Sequence, residues 1–103
     1  MTLMQRVREQ EEEFIGLRRR IHEHAEVSFQ EVETTRLVRD YLDGLGIENH
    51  PNGSSTGVIG ILKGDKPGPV IALRADMDAL KLTEQTDLPF ASKNPGACHA
   101  CGH

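Results

Sequence analysis

The last six residues of the chain, from Cys98 to His103, read CHACGH, and four of them are of types that bind metal ions in proteins. Thiolate and imidazole groups packed this closely are typical ligands of zinc and similar cations. Such a site usually takes about three or four protein ligands. Half of a zinc ribbon, a redox pair formed by Cys98 and Cys101, and a metal site completed elsewhere all fit the pattern.

The rest of the sequence excludes some of these kinds of metal and redox site. The chain has only two cysteines, so it cannot form a four-cysteine zinc site by itself. Gly102 stands where c-type haem attachment requires a histidine. A thioredoxin-like pair opens a helix after a strand, whereas a loop with proline and glycine precedes Cys98. Cys101 and His103 could both reach one cation; an incidental Cys/His-rich tail is the alternative.

Two carboxylates, Asp76 and Asp78, follow closely on a short apolar run at residues 70–73. Open α/β sheets bind ligands beyond the carboxyl ends of their strands, where these side chains would lie. Because side chains alternate along a strand, Arg74 and Asp76 would share one face, which Asp78 could continue. The alternative is an ion pair between Arg74 and an aspartate that closes a loop.

Size and charge narrow the class of protein. The chain has 103 residues, enough for one small domain, with 37% apolar and 27% charged residues. Its formal net charge is −4, and no Lys/Arg cluster has interleaved aromatic residues, which argues against nucleic-acid binding. The N-terminal residues contain no apolar run, which predicts neither a signal peptide nor a membrane span and indicates the cytoplasm.

Two amphipathic helices are predicted in the first half. Thr2 and Gln5 match a capping box that starts a helix running to about His24. Ser28 and Glu31 match a second capping box, and the helix that it starts would stop at the glycines at positions 44 and 46.

Strand patterns replace helical ones in the second half. The segment 57–62 (GVIGIL) is rich in β-branched residues and predicts a strand. The run 70–73 (VIAL) is typical of a strand buried on both faces, and the residues from Thr83 onward are predicted to be mostly loop.

Other ionisable residues carry weaker signals. His22 and His24 lie at a predicted helix end, where partial positive charge is favourable, so capping is a better interpretation than metal binding. Glu84 is a lone acid that we expect to be solvated, and His50 before a proline carries no signal.

Three segments together resemble one family. They are residues 20–31 (RIHEHAEVSFQE), 72–80 (ALRADMDAL) and 88–103 (LPFASKNPGACHACGH). The chain from residue 14 onward is similar to the aminoacylase-type metallopeptidases, in the branch of hippurate hydrolase, N-acyl-amino-acid amidohydrolases and auxin-conjugate hydrolases. Three residues depart from the family pattern: Ala25 and Lys81 stand in place of proline, and Cys98 in place of methionine.

The resemblance implies a fold and a site. The fold is α/β: two N-terminal helices plus the first strands of a mainly parallel sheet of an incomplete zinc-peptidase-like catalytic domain. Residues 1–103 would be the N-terminal part of that domain, without the family's dimerisation domain. Cys101 and His103 match metal ligands, with Cys101 bridging two divalent ions. Manganese or zinc is expected, with cobalt and nickel as alternatives. Asp78 matches the aspartate that supports the metals, and Asp76 lies beside it.

The same resemblance implies hydrolysis of the amide bond of N-acyl amino acids or small peptides, in a protein that forms homo-oligomers and needs neither nucleic acid nor membrane. The general base and the other ligands would lie further along a longer chain, so we expect the 103-residue chain to be inactive. The alternative is a small metal-binding or redox module built on Cys98, Cys101 and His103.

Overall fold

The computed structural model describes residues 1–102, and in that range it contains three helices and one two-stranded sheet. The helices are α1 (Leu3–Glu9), α2 (Glu11–Glu23) and α3 (Val32–Gly44). The strands are β1 (Glu48–Pro51) and β2 (Val58–Ile61). Helix α3 packs on both strands, and this combination of helices and sheet confirms the predicted α/β class.

The first predicted helix is present but is divided at Gln10. Its start is confirmed, because the Gln5 amide donates to Thr2 Oγ1 at 3.2 Å and the Thr2 amide donates to Gln5 Oε1 at 2.7 Å. Gln10 has a ψ of 6°, far from the helical value of about −42°. Residues 8–13 carry no apolar side chain that could pack and keep the helix continuous. The prediction of one unbroken helix to His24 is therefore wrong at this residue.

The N-terminus of α3 is capped by a side chain that precedes it by several residues. The Glu26 carboxylate accepts hydrogen bonds from the amides of Glu33 (3.1 Å) and Thr34 (2.6 Å) and from the Thr34 hydroxyl (2.7 Å). Partial burial opposes ionisation of Glu26, but these hydrogen bonds outweigh it, and the pKa of Glu26 is lowered. A negative charge at this end also complements the helix dipole.

The predicted capping box at Ser28 and Glu31 is wrong. The helix begins at Val32, and the Ser28 hydroxyl donates a hydrogen bond to Asp78 instead of accepting one from a helix amide. Phe29, which lies between Ser28 and Glu31, has a φ of 64°, a left-handed conformation that turns the chain away from a helix. The Glu26 carboxylate instead caps the amides of Glu33 and Thr34, and as a charged acceptor it makes stronger hydrogen bonds than a hydroxyl does.

The sheet is a hairpin in which Glu48 lies opposite Ile61 and the strands run antiparallel. The predicted strand within residues 57–62 is confirmed as β2. The pattern did not predict β1, because His50 and Pro51 resemble a turn. Proline is tolerated at this place because it ends a strand at the sheet edge.

Residues 70–73 form no strand among residues 1–102, and the prediction of a doubly buried strand is wrong for this chain. Val70, Ile71 and Leu73 are 97%, 83% and 96% exposed. Burial of such a run requires covering layers on both faces, and no described element covers it. The parallel pairing that the family resemblance implied is limited, in the described part, to one isolated bridge between Val27 and Ala79.

A small apolar core joins three distant segments. It consists of Ala25, Ala79 and Ala97, which are 1%, 4% and 7% exposed, with Val27 packed against them. Alanine side chains are small, so the three backbones approach closely at this junction. The rest of the described chain is more open. No helix in the described range has the length and apolar character needed to cross a bilayer.

Candidate active site

Backbone hydrogen bonds at the alanine core bring the chemically interesting segments together. The Ala79 amide donates to the Glu26 carbonyl at 2.8 Å, just after α2. Leu80 and Cys98 exchange two hydrogen bonds of 3.0 and 3.1 Å. The residues that follow α2, those after Asp78 and those leading to Cys98 therefore meet in one place.

Asp78 lies next to this junction and is partly buried. Ser28 Oγ donates a hydrogen bond of 2.5 Å to Asp78 Oδ2. The Asp78 carboxylate therefore has a defined orientation beside the buried Ala79. The sequence had predicted a different role for Ser28, that of a helix cap.

Asp76 lies in a different environment. It is exposed, and Arg74 Nε donates a hydrogen bond of 2.8 Å to Asp76 Oδ1. This is the Arg74–aspartate ion pair considered as the alternative role for the two carboxylates. The pair of predicted aspartates is thus divided, with Asp78 at the junction and Asp76 at the surface.

Of the two predicted metal ligands, Cys101 is exposed and follows directly on the junction, while His103 lies outside the described residues. Cys98 is buried, and its thiol faces Glu84 rather than solvent. The two cysteines of the motif therefore occupy different environments.

Sequence reasoning missed a cluster formed by His22, Glu84 and Cys98. His22 Nε2 lies 2.7 Å from Glu84 Oε1, and the Cys98 thiol donates to the same oxygen at 3.6 Å. The side chains of His22 and Glu84 are only 15% and 4% exposed. Glu84 is therefore not the solvated acid that we predicted, and His22 faces a carboxylate rather than capping a helix. No local pattern could reveal this, because 62 residues separate His22 from Glu84.

Hydrogen bonding keeps Glu84 ionised. The Thr86 hydroxyl and the Ser92 amide (3.0 Å) donate to its carboxylate, burial opposes them, and His22 adds to their effect. Together they lower the pKa of Glu84 to about 2. Burial raises the pKa of the Cys98 thiol, and its hydrogen bond to the negative Glu84 raises it further. Near neutral pH the cluster therefore holds a carboxylate and a protonated thiol.

His99 completes the surroundings of the cluster. Its ring centroid is 6.1 Å from that of His22, and its buried Nε2 has no hydrogen-bond partner among residues 1–102. Burial lowers the pKa of His99, the nearby His22 lowers it further, and Asp78 opposes the shift. A neutral imidazole with an unsatisfied nitrogen thus lies within electrostatic range of both His22 and Asp78.

This part of the chain is similar to a known family of metallopeptidases. Residues 72–103, which include both aspartates and the CHACGH segment, match the model of peptidase family M20/M25/M40. The predicted resemblance to the aminoacylase-type metallopeptidases is confirmed.

Individual relatives agree with the family match. N-acetylcysteine deacetylase of Bacillus subtilis is 57% identical over 91 residues, which are 86% of this chain and 24% of the relative. Thermostable carboxypeptidase 1 of Saccharolobus solfataricus is 51% identical over 94% of this chain and 25% of the relative. The crystal structure of the Bacillus subtilis YXEP protein, described as a dinuclear metal binding peptidase from the M20 family, matches with a TM-score of 0.81. It is 56% identical, over 85% of this chain and 25% of that one. The chain thus spans about a quarter of the length of these relatives.

Proposed function

We propose that this chain is the part of a two-metal amidohydrolase domain that carries its first metal ligands and a supporting aspartate. The substrate class would be N-acyl amino acids or small peptides. This agrees with the names of two relatives, N-acetylcysteine deacetylase and thermostable carboxypeptidase 1. The observation that carries the proposal is the ordered Asp78: it is partly buried and held by Ser28 in the segment that matches the metallopeptidase family.

The donor types in this segment fit divalent metals. The dinuclear relative supports two such ions, and thiol, imidazole and carboxylate groups are ligands for zinc and its neighbours. In this proposal Cys101 and His103 hold metal, and Asp78 acts through them. When bound, the metals supply activation of water and polarisation of the amide carbonyl. Ser28 fixes the orientation of the Asp78 carboxylate, and the exposed Asp76 has no direct role.

The proposal includes the predicted inactivity of the 103-residue chain, because the general base and the other ligands would belong to the remaining length of the relatives. It also includes the cytoplasmic location and the homo-oligomeric state of the longer protein. The module built on Cys98, Cys101 and His103 gains no support, since Cys98 is buried against Glu84 and Cys101 is exposed.

A chimera tests this function directly. Residues 1–103 would replace the matching region of the Bacillus subtilis N-acetylcysteine deacetylase, and hydrolysis of N-acetylcysteine would be measured with added manganese or zinc. We expect activity from the chimera and none from the 103-residue chain. Light scattering on the same sample would test whether it is oligomeric.

Substitutions in the chimera then assign the residues. Asp78→Asn and Cys101→Ala should each lower kcat/KM by about 100-fold or more, a loss typical of groups that act in the chemical step. Asp76→Asn is the matched control and should retain most activity, because Asp76 is exposed and bonded to Arg74. Hydrolysis by the short chain, or full activity of the Asp78→Asn chimera, would refute the proposal.

A further inference from the structure

The proposed hydrolase chemistry makes no use of the cluster of His22, Glu84 and Cys98. One ligand atom from each lies within 4.8 Å of the other two. The three come from the end of α2, the loop after Leu80 and the segment before Cys101, and all three side chains are largely shielded from solvent. Imidazole, carboxylate and thiolate form a donor set that suits zinc and cobalt better than magnesium or calcium.

Two of the three donor distances can be compared with those of a tetrahedral zinc site. Bonds of the usual lengths to zinc place two nitrogen or oxygen donors about 3.4 Å apart, and a sulfur and an oxygen about 3.6 Å apart. The distance from Cys98 Sγ to Glu84 Oε1 is already 3.6 Å. The distance from His22 Nε2 to Glu84 Oε1 is 2.7 Å, so a small rotation of these side chains would admit the ion.

The cluster also has the supporting contacts of a metal site. Metal-binding carboxylates are usually oriented by further hydrogen bonds, and Glu84 accepts them from the Thr86 hydroxyl and the Ser92 amide. The ring of Phe90 contacts that of His22 edge-on, with 5.6 Å between centroids, and forms an apolar wall. Such a wall limits the access of water to a site.

The buried Nε2 of His99 is a second, independent observation. It has no hydrogen-bond partner among residues 1–102, and a buried unsatisfied nitrogen is costly. His99 follows Cys98 directly, and its ring is 6.1 Å from that of His22. A cation held by the cluster would lie near this imidazole, although the His99 nitrogen is not among the three ligand atoms that lie within 4.8 Å of one another.

We propose that His22, Glu84 and Cys98 bind one zinc-like divalent cation. The site uses neither Cys101 nor His103 and does not depend on the proposed hydrolase function. On binding, the Cys98 thiol releases its proton to solvent and becomes a thiolate. The thiolate and the Glu84 carboxylate then balance the two charges of the ion, which avoids an uncompensated buried charge.

Cobalt titration tests the site in the chain itself. The Cys101→Ser/His103→Ala double variant removes the ligands of the proposed hydrolase centre, so any thiolate signal must come from Cys98. We expect one equivalent of cobalt to produce a thiolate-to-cobalt charge-transfer band, which zinc then removes by competition. Adding Cys98→Ser, which nearly keeps the side-chain size and removes the thiol, should abolish the band. Adding His22→Gln should weaken cobalt binding by at least about tenfold, since even supporting contacts contribute that much. Absence of the band in the double variant would overturn the proposal.

A measurement without substitutions in the cluster guards against misfolding. Histidine side-chain NMR signals of the double variant would be followed as zinc is added. The His22 and His99 signals should shift with one equivalent of zinc, while those of the exposed His24 and His50 should not. Equal shifts of all four, or no shift of His22, would also overturn the proposal.

Discussion

Ser28 Oγ and Asp78 Oδ2 are joined by a 2.5 Å hydrogen bond between residues that are 50 positions apart in the chain. The bond links the turn before α3 to the segment that carries the predicted active-site carboxylate. It gives the first-half turn a role in orienting the second-half site.

Removal of this bond should affect catalysis more than binding. In the chimera described above, we expect Ser28→Ala to lower kcat by about tenfold with little change in KM, a size typical of lost supporting contacts. Ser28→Thr keeps the hydroxyl and is the matched control. Steady-state kinetics on both variants would measure this, and an unchanged kcat for Ser28→Ala would show that Asp78 does not need the bond.

The cap of α3 should be measurable as stability. Glu26→Ala removes the acceptor for two amides and the Thr34 hydroxyl, and should lower the free energy of unfolding by about 1 kcal/mol. Glu33→Ala is the control, because the Glu33 carboxylate makes an exposed ion pair with Arg36, worth about 0.5 kcal/mol. Urea unfolding would compare the two, and equal losses would contradict the assignment of Glu26 as the cap.

The same residue should make stability depend on pH. The folded-state pKa of Glu26 is below its ordinary value, so its contribution is present above the unfolded pKa and is lost as pH falls through the folded pKa. The stability difference between the natural chain and Glu26→Gln should therefore shrink as the pH falls below the ordinary pKa of a glutamate. Urea unfolding of both at several pH values would measure it; a difference that grows on acidification would reverse the sign and refute the argument.

Glu84 should matter more for stability than an exposed glutamate in a similar pair. Glu84→Ala leaves the Ser92 amide and His22 without their acceptor in a largely buried place, so the loss should be at least about twice that of Glu26→Ala. Glu48 also pairs with a histidine, His50 at 3.0 Å, but both are exposed, so Glu48→Ala should have little effect. Thermal unfolding with a chelator present would separate this from metal binding. Equal effects of the two substitutions would contradict the structural role of Glu84.

Phe29 offers a substitution that should stabilise the chain. Its φ of 64° is unfavourable for a residue with a side chain, and the residue is 82% exposed. Phe29→Gly should raise the free energy of unfolding by about 0.5–1 kcal/mol by relieving backbone strain. Phe29→Ala retains the Cβ and should bring no such gain. Denaturant unfolding would measure both, and an equal gain from alanine would show that loss of the exposed ring is responsible.

Local patterns predicted the elements that depend on nearby residues. The capping box at Thr2 and the stop after α3, where Gly46 has a φ of 70°, are local features and are correct. The strand β2 was also evident from its β-branched residues. The cap of α3 was misassigned because Ser28 fits the local pattern, while the acceptor in use, Glu26, lies two residues earlier.

The candidate site could be predicted only where a motif marks it. Asp78 and Cys101 belong to recognisable segments, but the division between a held Asp78 and a surface Asp76 depends on a partner 50 residues away. The cluster around Glu84 has no sequence signal, since its members come from three distant segments that meet near the alanine core.

Residues 70–73 are exposed in this chain, so the effect of a substitution there depends on whether further layers of structure cover the run. An extended apolar segment with open backbone groups is a template for pairing with other chains. Ile71→Lys should therefore raise the solubility of the 103-residue chain. In a longer protein whose added layers bury the run, the same lysine would be an uncompensated charge in a core. Screens for solubility performed on the short chain would therefore select sequences that the longer protein could not fold.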